Sequence, residues 1–297
     1  MVKSSFFLAL LPFLLNYTYA TVTPSITRRA NEPWLNLPNT PSLPGKPAGK
    51  TVDVNGAKLW YAEFGNVQSK EVPLILLHGG FGNSDYYGSL IPLVNQTRRI
   101  ITMDTRGQGR STMDAQKLTF ELYASDITGL LKNLGISKAA FVGWSHMGVG
   151  TIATMLGSQT ASFVDRALLY GAYSNVQANN ESYSGTQIYK TFIERAAAEY
   201  KHYQPNGDLE TLSKALTTLD STLPVYAASD LAKIKLGNKV TVCFGEHEEA
   251  IKLSEQDTLP KLIAGSSRVI IKGVSHFGIL QNPEAIAKEV NNLLGKA

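Results

Sequence analysis

Cysteine is almost absent from this 297-residue chain. The single residue, Cys243, cannot form an intrachain disulfide, so the fold must be held by its apolar core. Cys243 lies in the run Val240-Thr241-Val242-Cys243-Phe244, where a small buried thiol in a strand is expected rather than a nucleophile. Histidine is sparse too: the five are scattered, and no spacing resembles a zinc site. No metal and no organic cofactor is implied. Charged residues make up 18% and the formal net charge is +4. Three of the positive charges, Lys3, Arg28 and Arg29, precede any acidic residue, leaving +1 for the rest of the chain. A nucleic-acid partner is therefore not expected. Long apolar runs are missing as well. The nearest, Phe6 to Leu15, contains Pro12 and falls well short of the roughly 20 residues that span a bilayer, so no stable membrane anchor is expected.

What is present suits a globular protein. Hydrophobic residues reach 43%, enough for one α/β domain with an inserted subdomain. The first twenty residues read as a secretory signal: Lys3 is basic, an apolar stretch follows, and Thr18-Tyr19-Ala20 supplies small residues before a cut. A secreted, extracellular protein is the expectation. Residues 21–50 are rich in Pro, Asn, Ser and Thr without helical or strand period, and are set apart as a flexible leader in which Arg28-Arg29 is a candidate processing site. Asn95-Gln96-Thr97 and Asn180-Glu181-Ser182 are glycosylation sequons, each expected in a surface loop.

From residue 51 the pattern becomes regular. Thr51 to Val54 and Lys58 to Ala62 flank Asn55-Gly56-Ala57 and predict an antiparallel hairpin. Short apolar runs then alternate with amphipathic segments: Pro73–Leu77, Arg99–Met103, Lys138–Val142, Arg166–Tyr170, Val240–Phe244 and Ser267–Ile271. Buried parallel strands have this appearance. Phe120, Tyr123, Ile127, Leu130, Leu131 and Leu134 form one helical face, and Ile286, Val290, Leu293 and Leu294 another. The sum is a doubly wound, mostly parallel sheet, assembled from 51–171 and 239–297. Between them, 172–238 carries two helical patterns and no strand, Ile188-Phe192-Ile193-Ala196-Tyr200 and Leu209-Leu212-Leu216-Leu219. An insertion after a strand's carboxyl end lies over the crevice where such sheets bind ligands, so 172–238 is expected to be a helical cap that shapes a substrate pocket.

Chemistry enters at Gly143-Trp144-Ser145-His146-Met147-Gly148. Ser145 falls on a strand-to-helix turn, where a hydroxyl projects at the carboxyl end of the sheet beside free helix N–H groups. Upstream stand His78-Gly79-Gly80-Phe81-Gly82, after one strand, and Asp104-Thr105-Arg106-Gly107-Gln108-Gly109-Arg110-Ser111, after the next. This series resembles the α/β-hydrolase superfamily over about Thr51 to the C-terminus, with its capped esterase and enol-lactonase-like members the nearest in appearance. The resemblance implies the α/β-hydrolase fold and the chain order nucleophile, acid, histidine. It places the nucleophile at Ser145, the acid within Glu246 to Glu249, and the base at His276 in Ser275-His276-Phe277-Gly278. In those members a strand ends in Gly-x-x-Asp. Here that reads Gly245-Glu246-His247-Glu248, which implies Glu248, with Glu246 and Glu249 as rivals. Oxyanion donors are expected from the backbone N–H groups of His146 and Gly80, with the His146 imidazole as pocket wall. Asp104, Arg106, Gly107 and Gly109 are expected to brace the adjoining loop.

The function so implied is a secreted serine hydrolase acting on small apolar carboxylic esters or lactones through an acyl-enzyme; the oligomeric state stays open. Two departures set a different expectation. Met147 stands where the elbow pattern asks for glycine, with glycine one place later, and Glu replaces Asp. A catalytically impaired ligand-binding protein on the same fold would explain both. An aminopeptidase of this fold is a further alternative, though the sequence displays no evident acidic anchor for an amine.

Overall fold

The computed structural model describes residues 32–295. The expected signal peptide, Arg28-Arg29 and the first part of the leader lie outside the described residues. The hairpin forms as β1 (Lys50–Val54) and β2 (Ala57–Gly65), paired antiparallel with Val54 opposite Ala57. Asn55 and Gly56 both take positive φ, 49° and 86°, the backbone of a tight turn that matches strand twist. Six more strands follow: β3 (Leu74–Leu77), β4 (Arg99–Met103), β5 (Ala139–Trp144), β6 (Val164–Tyr170), β7 (Val240–Gly245) and β8 (Ser267–Ile271). They build one eight-stranded sheet in the order β1-β2-β4-β3-β5-β6-β7-β8. Every pair from β4 onward is parallel, so the sheet is mostly parallel with an antiparallel edge.

Burial on both faces explains why the central strands are continuous apolar runs. Ile75, Leu77, Phe141 and Leu169 face one core layer, shared with α1 (Phe120–Asn133) and α2 (His146–Leu156). Leu74, Leu76, Val142, Trp144 and Leu168 face the other. That layer is closed by Tyr86 and Tyr87 and by the C-terminal helix, which buries Ile286, Val290 and Leu293.

Between β6 and β7 the chain adds no strand to the sheet. It forms α3 (Gln187–Tyr203), α4 (Leu209–Thr222) and the short α5 (Ala228–Leu231). Thr186 caps α3 by accepting the Tyr189 N–H, and Asp208 caps α4 by accepting the Thr211 N–H, each a contribution of about 1 kcal/mol. Ile188, Phe192 and Ala196 of α3 join the second core layer, while Leu212, Leu216 and Leu219 of α4 join the first. After β7 come α6 (Glu255–Leu262), then β8, α7 (Gly278–Gln281) and α8 (Pro283–Leu294). Among the described residues no helix is long and apolar enough to cross a membrane.

One expectation needs correction. The leader was set apart from the fold, yet from Glu32 to Gly49 it is packed against it. Trp34 stacks on His247 with ring centroids 3.7 Å apart and planes 11° apart. Gln281 Nε2 donates to the carbonyls of Trp34 and Asn36 at 3.0 and 2.9 Å. Arg195 on α3 donates to the Leu37 and Pro38 carbonyls, and Thr40 donates to Glu199 on the same helix. Leu43 is buried, and Trp60 Nε1 donates to the Ala48 carbonyl. The stretch lacks a period because its backbone groups are satisfied by side chains of the domain rather than by a ladder of its own. It runs as a strap from the loop bearing His247 and Glu248 to the inserted helices. The two sequons also differ. Asn95 is exposed, whereas Asn180 is half-buried and donates its amide to the Glu249 carbonyl at 2.9 Å.

Candidate active site

Ser145 sits between β5 and α2 with φ 55° and ψ −119°, a conformation that side chains adopt only when the surroundings enforce it. Its N–H donates to the Tyr170 carbonyl at the end of β6, 2.8 Å away. The Val149 N–H is the first to bond back, to the Ser145 carbonyl. The amides of His146, Met147 and Gly148 therefore open the helix without intrahelical acceptors, and they are oriented to receive negative charge.

Met147 is accommodated by this turn. Its side chain is fully buried in the core layer of α1 and α2, with its sulfur on the side of Gly150. The close backbone approach that the pattern assigns to glycine falls at Gly148. A Cβ there would lie 2.7 Å from that of Ala172, just after β6.

His276 is buried on the loop between β8 and α7, and its Nδ1 lies 2.7 Å from Glu248 Oε1. That oxygen also accepts the N–H groups of Ala250 and Ile251 at 3.0 and 3.1 Å. Three donors converge on this one oxygen, and the contact fixes the imidazole with its hydrogen on Nδ1, leaving Nε2 as the acceptor. Burial disfavours the His276 imidazolium, but the charge and hydrogen bond of Glu248, aided by Glu249, outweigh it, and the pKa is raised. The His276 carbonyl accepts from Trp144 Nε1 at 2.9 Å, which ties the His276 loop to the strand before Ser145.

The rivals for the acid separate cleanly. Glu246 is on the surface, paired with Lys272 at 2.7 Å. The bond to Lys272 and one from the Gly273 N–H hold its pKa down. Glu249 is directed inward and accepts the His276 N–H at 2.9 Å. Burial, then the neighbouring Glu248 charge, push its carboxyl up to about 7. Glu248 alone reaches the imidazole.

Ser145, His146, Gly80 and His276 line one cavity of about 90 Å³. Its walls are apolar and aromatic, including Phe81, Trp144, Tyr189 and Phe192, and the inserted helices contribute to them. The Gly80 backbone lies against the His146 ring so closely that a Cβ at Gly80 would approach it to 2.5 Å. Phe81, beside it, holds a positive φ of 58°. The loop is pinned by His78, whose Nδ1 lies 2.7 Å from the Gly79 carbonyl and whose Nε2 accepts the Thr105 N–H at 3.0 Å. Burial lowers the pKa of His78, consistent with a neutral structural ring. Asp104 accepts the N–H groups of Ser84 and Arg110, and Arg106 makes a two-pronged bond to Asp126. None of these bracing residues lines the cavity.

Sequence reasoning missed several residues here. Asp220, from α4, lines the cavity and pairs with His146 Nε2. Tyr173 and Asn179 lie beside it. No signal in the chain could have found Asp220, because it lies in the last turn of a helix whose facing was unknown. Cys243 is buried and unpaired, with its thiol pKa raised by burial.

Comparison with known proteins bears on the fold. Residues 72–203 match the family model described as alpha/beta hydrolase fold, a span that includes Ser145 but ends before Glu248 and His276. A non-heme haloperoxidase from Rhodococcus erythropolis is 29% identical over 129 residues, covering 43% of this chain and 45% of that protein. A bifunctional esterase/perhydrolase from Acinetobacter calcoaceticus is 26% identical over 136 residues, 45% and 48% of the two chains. The matches thus span under half the length of these relatives. Among solved structures, an enol-lactonase from Burkholderia xenovorans superposes with a TM-score of 0.67 at 19% identity, covering 83% of this chain and all of that one, 100%. A meta-cleavage product hydrolase from Pseudomonas fluorescens gives 0.69 at 19% identity, 82% and 97%. The sheet order, the strained turn after β5 and the matched span together show that this chain has the α/β-hydrolase fold.

Proposed function

We propose that the protein is a serine hydrolase of small carboxylic esters or lactones, with Ser145 as nucleophile, His276 as base and Glu248 as the acid that orients it. The observation that carries the reading is the 2.7 Å bond between His276 Nδ1 and Glu248 Oε1 in a ring that shares its cavity with a serine on a strained elbow. Ser145 Oγ attacks the carbonyl carbon while His276 Nε2 takes its proton. The Glu248 carboxylate stabilises the imidazolium so formed. The oxyanion is received by the N–H groups of His146 and Gly80. His276 then gives the proton to the departing alkoxide, the ester C–O bond breaks and the acyl group stays on Ser145. Water, deprotonated by His276, attacks the acyl carbon, the bond to Oγ breaks, and the proton returns to Ser145.

The cavity of about 90 Å³ favours short acyl groups, and its cap contributes the aromatic wall. Met147 lies in the core, which removes the motive for reading the turn as misshapen. The N-terminal sequence supports export, and we place the activity outside the cell. Labelling with a fluorophosphonate followed by peptide mass analysis tests the assignment. The reading expects one adduct, on the peptide containing Ser145, and none in Ser145→Ala. A folded wild type that takes up no label, or takes it up elsewhere, contradicts it.

A further inference from the structure

The cavity holds one carboxylate that the hydrolytic steps do not use. Asp220 reaches in from α4, 14% exposed at its side chain, and bonds His146 Nε2; the Tyr173 hydroxyl is 3.5 Å from the same oxygen. His146 Nδ1 is buried without a hydrogen-bond partner and packs against Gly80. A hydrogen on Nδ1 would be a buried donor with nothing to accept it, so the ring turns its Nε2 hydrogen towards Asp220. No lysine or arginine is among the residues that line the cavity, and Glu248 lies behind His276. Aromatic rings complete the wall, and their faces attract cations.

We propose that Asp220 is a specificity-determining residue which selects esters whose acyl chain carries a protonated amine, and that the cavity rejects acyl chains ending in a carboxylate. The ammonium is held by Asp220 and the tyrosine faces, while the ester carbonyl lies at Ser145. An anionic chain end meets only like charge, and a neutral one leaves the carboxylate desolvated without a partner. This deepens the hydrolase reading and rests on it.

Three methyl esters with the same two-methylene spacer separate the possibilities: the ester of β-alanine, the ester of butyrate and the monomethyl ester of succinate, whose chain ends are ammonium, methyl and carboxylate. Hydrolysis is followed by titrating the released acid, and the glycine and propionate esters repeat the first comparison at a shorter reach. The wild type is expected to prefer an ammonium ester over its neutral isostere by about tenfold or more in kcat/KM, with succinate lowest. Asp220→Asn keeps an acceptor for His146 and removes the charge, and should bring the three esters within about threefold of one another. No preference for the ammonium ester at either length, or an order that persists in Asp220→Asn, overturns the proposal.

Binding without turnover keeps the two readings apart. Propylammonium should perturb the fluorescence of Trp144 in Ser145→Ala, and the perturbation should vanish when Asp220→Asn is added. Hydrolysis of butyrate ester without propylammonium binding overturns the amine site and leaves the hydrolase standing. Asp220-dependent binding with no ester hydrolysed supports the amine site and overturns the hydrolase.

Discussion

Replacing Met147 by glycine restores the elbow pattern that the sequence breaks, and the structure predicts that the restored pattern is worse. The Met147 side chain is fully buried between α2 and the α1 layer, so Met147→Gly removes core atoms and leaves a cavity that the surrounding helices close only in part. Large-to-small changes of this kind cost about 2 to 5 kcal/mol, and glycine inside a helix adds up to about 1 kcal/mol. The total is about 3 to 6 kcal/mol, a large share of an ordinary domain's stability of roughly 5 to 15 kcal/mol. With about 2 to 4 °C of melting temperature per kcal/mol at this size, the midpoint should fall by about 6 to 24 °C. Thermal unfolding and steady-state turnover on a short-chain ester, measured at a temperature where both proteins are folded, give the two readouts. A melting point unchanged within about 2 °C together with faster turnover would show that Met147 strains the turn, and the packing argument would be wrong.

Glu249→Gln should stabilise the protein at pH 8 and leave it nearly unchanged at pH 4. A carboxyl held at about 7 in the fold and near its ordinary value when unfolded weakens the folded state as pH rises between those values. Removing it should recover about 2 kcal/mol at pH 8 by chemical denaturation, and an equal effect at both pH values contradicts this. The base must be neutral to act. Because Glu248 holds the His276 pKa up, the acid limb of kcat/KM should lie above the ordinary histidine value and move to lower pH in Glu248→Gln. The variant's maximum should drop by a factor of about 10² to 10⁴ through loss of the tautomer; a limb that does not move refutes the pairing. Trp34→Ala removes the stack on His247 and should lower stability by about 1 kcal/mol. It should also reduce kcat more than it raises KM, since the strap touches the acid loop and not the cavity; unchanged kinetics and melting would make the strap incidental.

The sequence was most legible where period and chemistry coincide. Buried runs such as Leu74–Leu77 and Val240–Gly245 are two-sided strands that their apolar continuity announces, and Asn55-Gly56 names its own turn. Ser145, Glu248 and His276 follow strand ends, and the family resemblance singled them out as candidates before any contact was known. What could not be read depends on facing and on distant partners. Asp220 is one polar residue on an amphipathic helix, and only packing decides that it meets His146. The strap had no period because its partners, Gln281, Arg195 and Glu199, lie more than a hundred residues away. α6 went unread because Pro260, which sits inside its last turns, looks like a breaker in sequence.

The central claim is that Ser145 forms an acyl-enzyme under the control of His276. Stopped-flow hydrolysis of p-nitrophenyl acetate by the wild type, Ser145→Ala and His276→Ala tests it most directly. A burst stoichiometric with enzyme in the wild type, lost in both variants while each stays folded, is the predicted result. Turnover that survives Ser145→Ala, or a folded wild type silent on esters and lactones alike, contradicts the account.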